Sequence, residues 1–152
     1  MTLDLPRNYP NLAPHNYRVT SPEEIAYNCV AWALSVTDAV WWPDSWDLYY
    51  WPPQLPRQES VETFLAVFGR FGYTQCDEPI QEEGFEKVAV YLDERGRPSH
   101  VARQLSTGRW TSKLGGAEDI EHDDLGSLEG PHLGSAVVFL RRSAVDSMSG
   151  ER

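Results

Sequence analysis

Two side chains in this sequence are suited to nucleophilic chemistry. Cys29 lies in Asn28-Cys29-Val30-Ala31-Trp32-Ala33, close to a possible helix start. Unpaired amide N–H groups at such a start favour thiolate over thiol, and the thiolate is the nucleophile. The same amides could receive the oxyanion that develops in acyl transfer. The competing reading is an inert cysteine buried in an apolar helix. His100 opens a strand-like stretch, Pro98-Ser99-His100-Val101-Ala102-Arg103. An imidazole there could take the thiol proton and later return it to a leaving amine. Taken alone, it reads equally as an ordinary strand histidine.

A third group should orient the imidazole. If Ser106-Thr107-Gly108 is a three-residue hairpin loop with Gly108 left-handed, Leu105 pairs with Arg109 and Ala102 with Ser112. Ser112 and His100 then share a face as diagonal neighbours within about 8 Å. A two-residue turn would flip the parity and bring Lys113 to that face instead. Glu118, Asp119 and His122 are the alternatives, because a carboxylate orients more strongly. Lys113 could bind a substrate carboxylate, or be a solvated strand lysine.

These groups need elements to hold them. Residues 1–20, rich in Pro and Asn, predict an irregular arm. Ser21-Pro22-Glu23-Glu24 is a helix-start signal with a capping box, and the apolar segment after it predicts a buried helix through Val36. Asn28 is a second possible cap inside it. Residues 41–56 are crowded with Trp, Tyr and Pro, and each proline removes a backbone donor. This long loop reads either as a lid over the core or as the wall of a substrate groove, with Trp41 and Trp42 at its start. Val61, Phe64, Leu65, Phe68 and Phe71 give the 59–71 segment a helical stripe, with Gly72 to end it. Strands are expected over 87–92, 99–105, 109–114 and 134–141, with Gly115-Gly116 breaking the pattern, 117–132 as loop or short helix, and a frayed tail over 143–152. Helices first and a meander after them predict an α+β domain spanning 1–142.

Composition removes whole classes of function. With 13 Lys+Arg against 23 Asp+Glu, the net charge is −10, which opposes nucleic acid and anionic membrane as partners. Hydrophobic content of 41% and aromatic content of 12% are too rich for a disordered chain. No apolar run approaches the ~20 residues of a membrane helix, and the N-terminus has no basic head before an apolar core. Two cysteines, Cys29 and Cys76, make no disulfide framework, so a cytoplasmic compartment is expected, with export by a specialised system as the open alternative. Cys76 reads as structural. Cys29, Cys76, His100, His122 and His132 lack zinc-ligand spacing, and Gly115-Gly116 is not followed by the Lys-Ser/Thr of a phosphate loop. No metal or cofactor is expected.

The Asn28–Ala33 segment resembles the cysteine motif of papain-like thiol hydrolases, above all the CHAP amidases. Ser99-His100-Val101-Ala102 is similar to their Gly-His-Val-Ala strand. The resemblance implies a papain-like fold, with N-terminal helices packed on an antiparallel sheet of about four or more strands. It implies Cys29 as nucleophile, His100 as base and Ser112 as third residue, the last by position but not by type, since CHAP domains tend to carry an acid there. Asn28 and Trp32 flank the nucleophile and join Trp41, Trp42 and Lys113 as candidate substrate-binding residues. Trp110-Thr111-Ser112-Lys113-Leu114-Gly115 with Ile120-Glu121-His122 also resembles an uncharacterised bacterial family of small proteins. The expected function is a cysteine amidase or peptidase acting on a peptide, isopeptide or cell-wall amide; deamidation and transglutamination use the same machinery. The alternative is a non-catalytic protein-binding module on the same scaffold. Oligomeric state is not legible.

Overall fold

The computed structural model describes residues 5–114 and 117–144. In chain order they form α1 (Leu5–Asn8), β1 (Tyr17–Ser21), α2 (Cys29–Ala33), α3 (Val61–Gly69), β2 (Thr74–Cys76), β3 (Phe85–Leu92), β4 (Pro98–Gln104), β5 (Trp110–Lys113), β6 (Asp119–His122), a 3-10 turn (Leu125–Leu128) and β7 (Ser135–Ser143). The seven strands make one antiparallel sheet in the order β1-β6-β5-β4-β3-β7-β2.

This overturns the expected fold class. The molecule is β-rich, not a set of N-terminal helices packed on a papain-like sheet: α1, α2 and α3 hold only 4, 5 and 9 residues. The helix predicted from Ser21 does not form over 22–28. Asn28 caps α2 instead, its side chain accepting from the Ala31 N–H, and the helix ends at Ala33. The arm predicted to be irregular contributes α1 and the edge strand β1, whose Tyr17 and Val19 turn inward. The 117–132 segment contributes β6. The last strand runs past Arg141 to Ser143, where a tail was expected; the rest of that tail, 145–152, and Gly115-Gly116 lie outside the described residues.

Strand alternation explains how one sheet serves two cores. In β3, Val88 and Val90 face α2, α3 and Trp51, while Ala89 and Tyr91 face Leu5, Leu12 and Leu128. Covered on both sides, β3 is buried from Val88 through Tyr91. The helix α3 starts at the Ser60 cap and buries Phe64, Val67 and Phe68. Gly134, entering β7 at φ +76°, passes so close to Leu92 that a Cβ would stand 1.9 Å from its carbonyl oxygen.

The β4–β5 hairpin has the register of a three-residue loop. Leu105 and Arg109 close it, Gly108 adopts φ +92°, and Arg103 faces Thr111. His100 and Ser112 therefore share one face, and Lys113 belongs to the other.

Candidate functional site

Cys29 is the first residue of α2. Asn28 takes the Ala31 N–H with its side chain and the Trp32 N–H with its carbonyl. The backbone N–H groups of Val101, from β4, and of Val30 and Cys29 each pull the Cys29 pKa down. Val101 is the residue after His100, so α2, packed on β4, lies along the stretch that carries the imidazole, while strand alternation turns Val101 and His100 to opposite faces. The ladder between β4 and β5 extends only over Arg103–Thr111 and Gln104–Trp110. The Cys29 side chain clusters with Val30, Val88, Val90 and Val101, and Tyr9 packs on the other face with Ala89 and Tyr91. Tyr9, packed on that face, has its phenol pKa raised by burial and then by charge on Cys29.

On the Tyr9 side lies a buried chain of polar groups. His100 Nε2 is 2.9 Å from Ser112 Oγ, Ser112 Oγ is 2.8 Å from His122 Nε2, and His122 Nδ1 is 2.8 Å from the carbonyl oxygen of Asp124. His100, Ser112 and His122 are all but sealed from solvent. The ring of Tyr91 meets that of His100 edge-on at 5.2 Å.

Burial dominates the electrostatics. It pushes the Cys29 thiol up to about 11, against the three amides and the Lys113 charge that pull it down. It pushes His100 down to about 3, helped by His122, and His122 down to about 4 against the Asp124 carbonyl and carboxylate. The helix-start amides thus do not secure a thiolate in the resting protein; a one-turn helix cannot outweigh desolvation of the sulfur. Thiol and imidazoles rest neutral.

The other predicted site residues have visible occupations. Asn28 joins α2 to Trp41 through two hydrogen bonds. Trp32 donates its indole N–H to Thr111 and lies beneath the Arg103 guanidinium. Trp41 is buried, and Trp42 meets Phe64 edge-on. Lys113 commits its ammonium to the carbonyls of Glu24 and Ala117 and places it over the Tyr27 ring. Asp119 takes the Tyr27 O–H at 2.7 Å, and Glu118 is buried; the hydrogen-bond partner of His100 Nε2 is Ser112. Among the described residues, no group of three or more His, Cys, Asp and Glu could hold a metal ion, and no helix is long and apolar enough to cross a membrane.

Four participants have parts that the sequence did not give them. His122 reads from sequence only as a direct orienter, because its four-residue strand, Asp119–His122, has too little pattern to be recognised. The Asp124 carbonyl and the Val101 N–H are backbone groups with no sequence signal. Tyr9 sat in a segment without periodicity.

A family model covers this whole constellation except Tyr9, matching residues 18–141. The chain belongs to the family described as Domain of unknown function (DUF7689). No curated protein matches it, and neither does any solved structure. The family match includes every strand core and both motif segments; the α1 arm precedes it.

Proposed function

We propose that the protein is a cysteine hydrolase that cleaves an amide by acyl transfer through Cys29, with His100 as base. The observation that carries this reading is the pull of the Val101 N–H on the Cys29 thiol, one residue along β4 from an imidazole whose Nε2 is held by Ser112. The motif resemblance to thiol hydrolases supports it at the level of these residues alone. His100 Nδ1 makes none of the hydrogen bonds described above. In this reading it takes the thiol proton as the sulfur attacks the carbonyl carbon. The amides of Cys29 and Val30 face the new oxyanion. His100 then passes its proton to the leaving amine, and the thioester is released by water that His100 deprotonates. A neutral resting pair requires the proton to leave sulfur as the C–S bond forms. The substrate class is a peptide, isopeptide or related amide.

The test is acylation by a small activated ester, with the modified residue mapped by mass spectrometry. Acylation is expected on Cys29, absent in Cys29→Ala and roughly 10²-fold slower in His100→Ala. Equal rates with and without His100 would overturn the reading.

One observation favours a second reading, a non-catalytic binding module. Trp46 and Leu48 stand 81% and 71% exposed on a loop braced from inside. The Asp44 carboxylate takes the N–H groups of Leu48 and Tyr49, and Arg57 holds Asp44 and the Tyr49 carbonyl. A rigid loop presenting large apolar groups is suited to a protein partner. Loss of partner capture on Trp46→Ala, with no acylation of Cys29 in the intact protein, would favour it.

A further inference from the structure

We propose that His122 is a positioning residue: through Ser112 it fixes which nitrogen of His100 carries the proton, with the backbone carbonyl of Asp124 setting the direction. The inference deepens the hydrolase reading and rests on it for its catalytic meaning, though not for its geometry.

The direction follows from one end of the chain. A carbonyl oxygen only accepts, so His122 Nδ1, 2.8 Å from Asp124 O, must carry a hydrogen. A neutral imidazole with hydrogen on Nδ1 offers a lone pair at Nε2. The Ser112 hydroxyl, 2.8 Å away, therefore donates to His122. Its single hydrogen is then spent, and toward His100 it can only accept. His100 Nε2, 2.9 Å from that oxygen, must donate. The lone pair of His100 is left on Nδ1, the nitrogen a base needs to present. Reversing any one link would set two donors or two acceptors against each other in a buried site. A serine alone would not do this, because a hydroxyl both donates and accepts; His122 removes the choice. Carboxylate orienters impose the same direction by being acceptors only. Here a backbone carbonyl supplies that property two side chains away, and no buried negative charge is required.

The test uses the full chain with 15N-labelled histidine, read by NMR near neutral pH. Wild-type His100 is expected as the pure Nε2–H tautomer and His122 as the pure Nδ1–H tautomer. In His122→Phe, and independently in Ser112→Ala should the first variant not fold, His100 is expected to become a mixture. Cys29 acylation by the small ester is expected to fall roughly tenfold to a hundredfold at saturating ester, with the half-saturating concentration unchanged. A wild-type His100 protonated on Nδ1, or a pure Nε2–H tautomer that survives in the folded variant, would overturn the proposal. Failure of the hydrolase reading looks different: the tautomers would be as expected, yet Cys29 would not acylate at all.

Discussion

Asn28 and Trp41 are joined twice, Nδ2 donating to the Trp41 carbonyl at 2.8 Å and Oδ1 accepting from the Trp41 N–H at 3.0 Å. One side chain therefore starts the helix that carries the thiol and anchors the aromatic loop. Asn28→Ala would remove a cap worth about 1 kcal/mol and strand two backbone groups of Trp41 at about 1–3 kcal/mol. The expected loss is about 2–4 kcal/mol in urea unfolding. A loss below about 0.5 kcal/mol would show that neither function matters.

Cys29 alkylation should follow a thiol held up by burial. In the native protein the rate is expected to go on rising toward pH 11; in urea it should level off near the ordinary value of 9.0. A native rate already flat at pH 7 would mean a stable thiolate and would contradict the dominance of burial. Cys29→Ala removes little volume and should leave the fold intact.

Acid should destabilise the protein through its buried imidazoles. His100 and His122 have folded pKa values depressed to about 3 and about 4, below an ordinary 6.5. The unfolded chain therefore binds their protons first. Their contribution is complete above pH 6.5 and is lost as pH falls toward 4, at up to about 1.4 kcal/mol per pH unit for each histidine. Above pH 9 the raised Cys29 pKa acts in the opposite sense, and stability falls as pH rises toward 11. Denaturant midpoints across pH 4–8 check the first claim; no steepening relative to a folded His100→Gln variant would contradict it.

Lys113 tests which face of β5 does what. Its ammonium satisfies the carbonyls of Glu24 and Ala117 on the side away from His100. Lys113→Ala should cost about 2–3 kcal/mol by leaving those acceptors unpaired. It should not change the ester concentration that half-saturates Cys29 acylation. A selective change in that concentration, with stability kept, would return Lys113 to substrate binding.

Much of the sheet was readable because it obeys local rules. Apolar pattern marked β3, β4, β5 and β7 within a residue or two at most ends; Gly108 marked the hairpin, and the strand ladder decided that its loop has three residues and that Ser112, not Lys113, shares the face of His100. The helical stripe of Phe64 and Phe68 marked α3. Readings failed where a local signal had a stronger rival or none. Ser21-Pro22 looked like a helix start, yet Asn28 caps α2 because its side chain also bonds Trp41, thirteen residues on. Tyr17–Ser21 and Asp119–His122 are too short and polar to be recognised alone, and become strands by pairing, β6 with β5 and β1 with β6.

The sequence by itself determined the reactive residue types, the acidic balance and the place of the central hairpin, since these depend on composition and on neighbours along the chain. Only the tertiary structure decided the rest. The β-rich architecture, the neutral state of thiol and imidazoles, and the direction of the Asp124–His122–Ser112–His100 chain all arise from burial and from backbone groups distant in sequence. Desolvation and hydrogen-bond direction are properties of surroundings, and those exist only once the chain is folded.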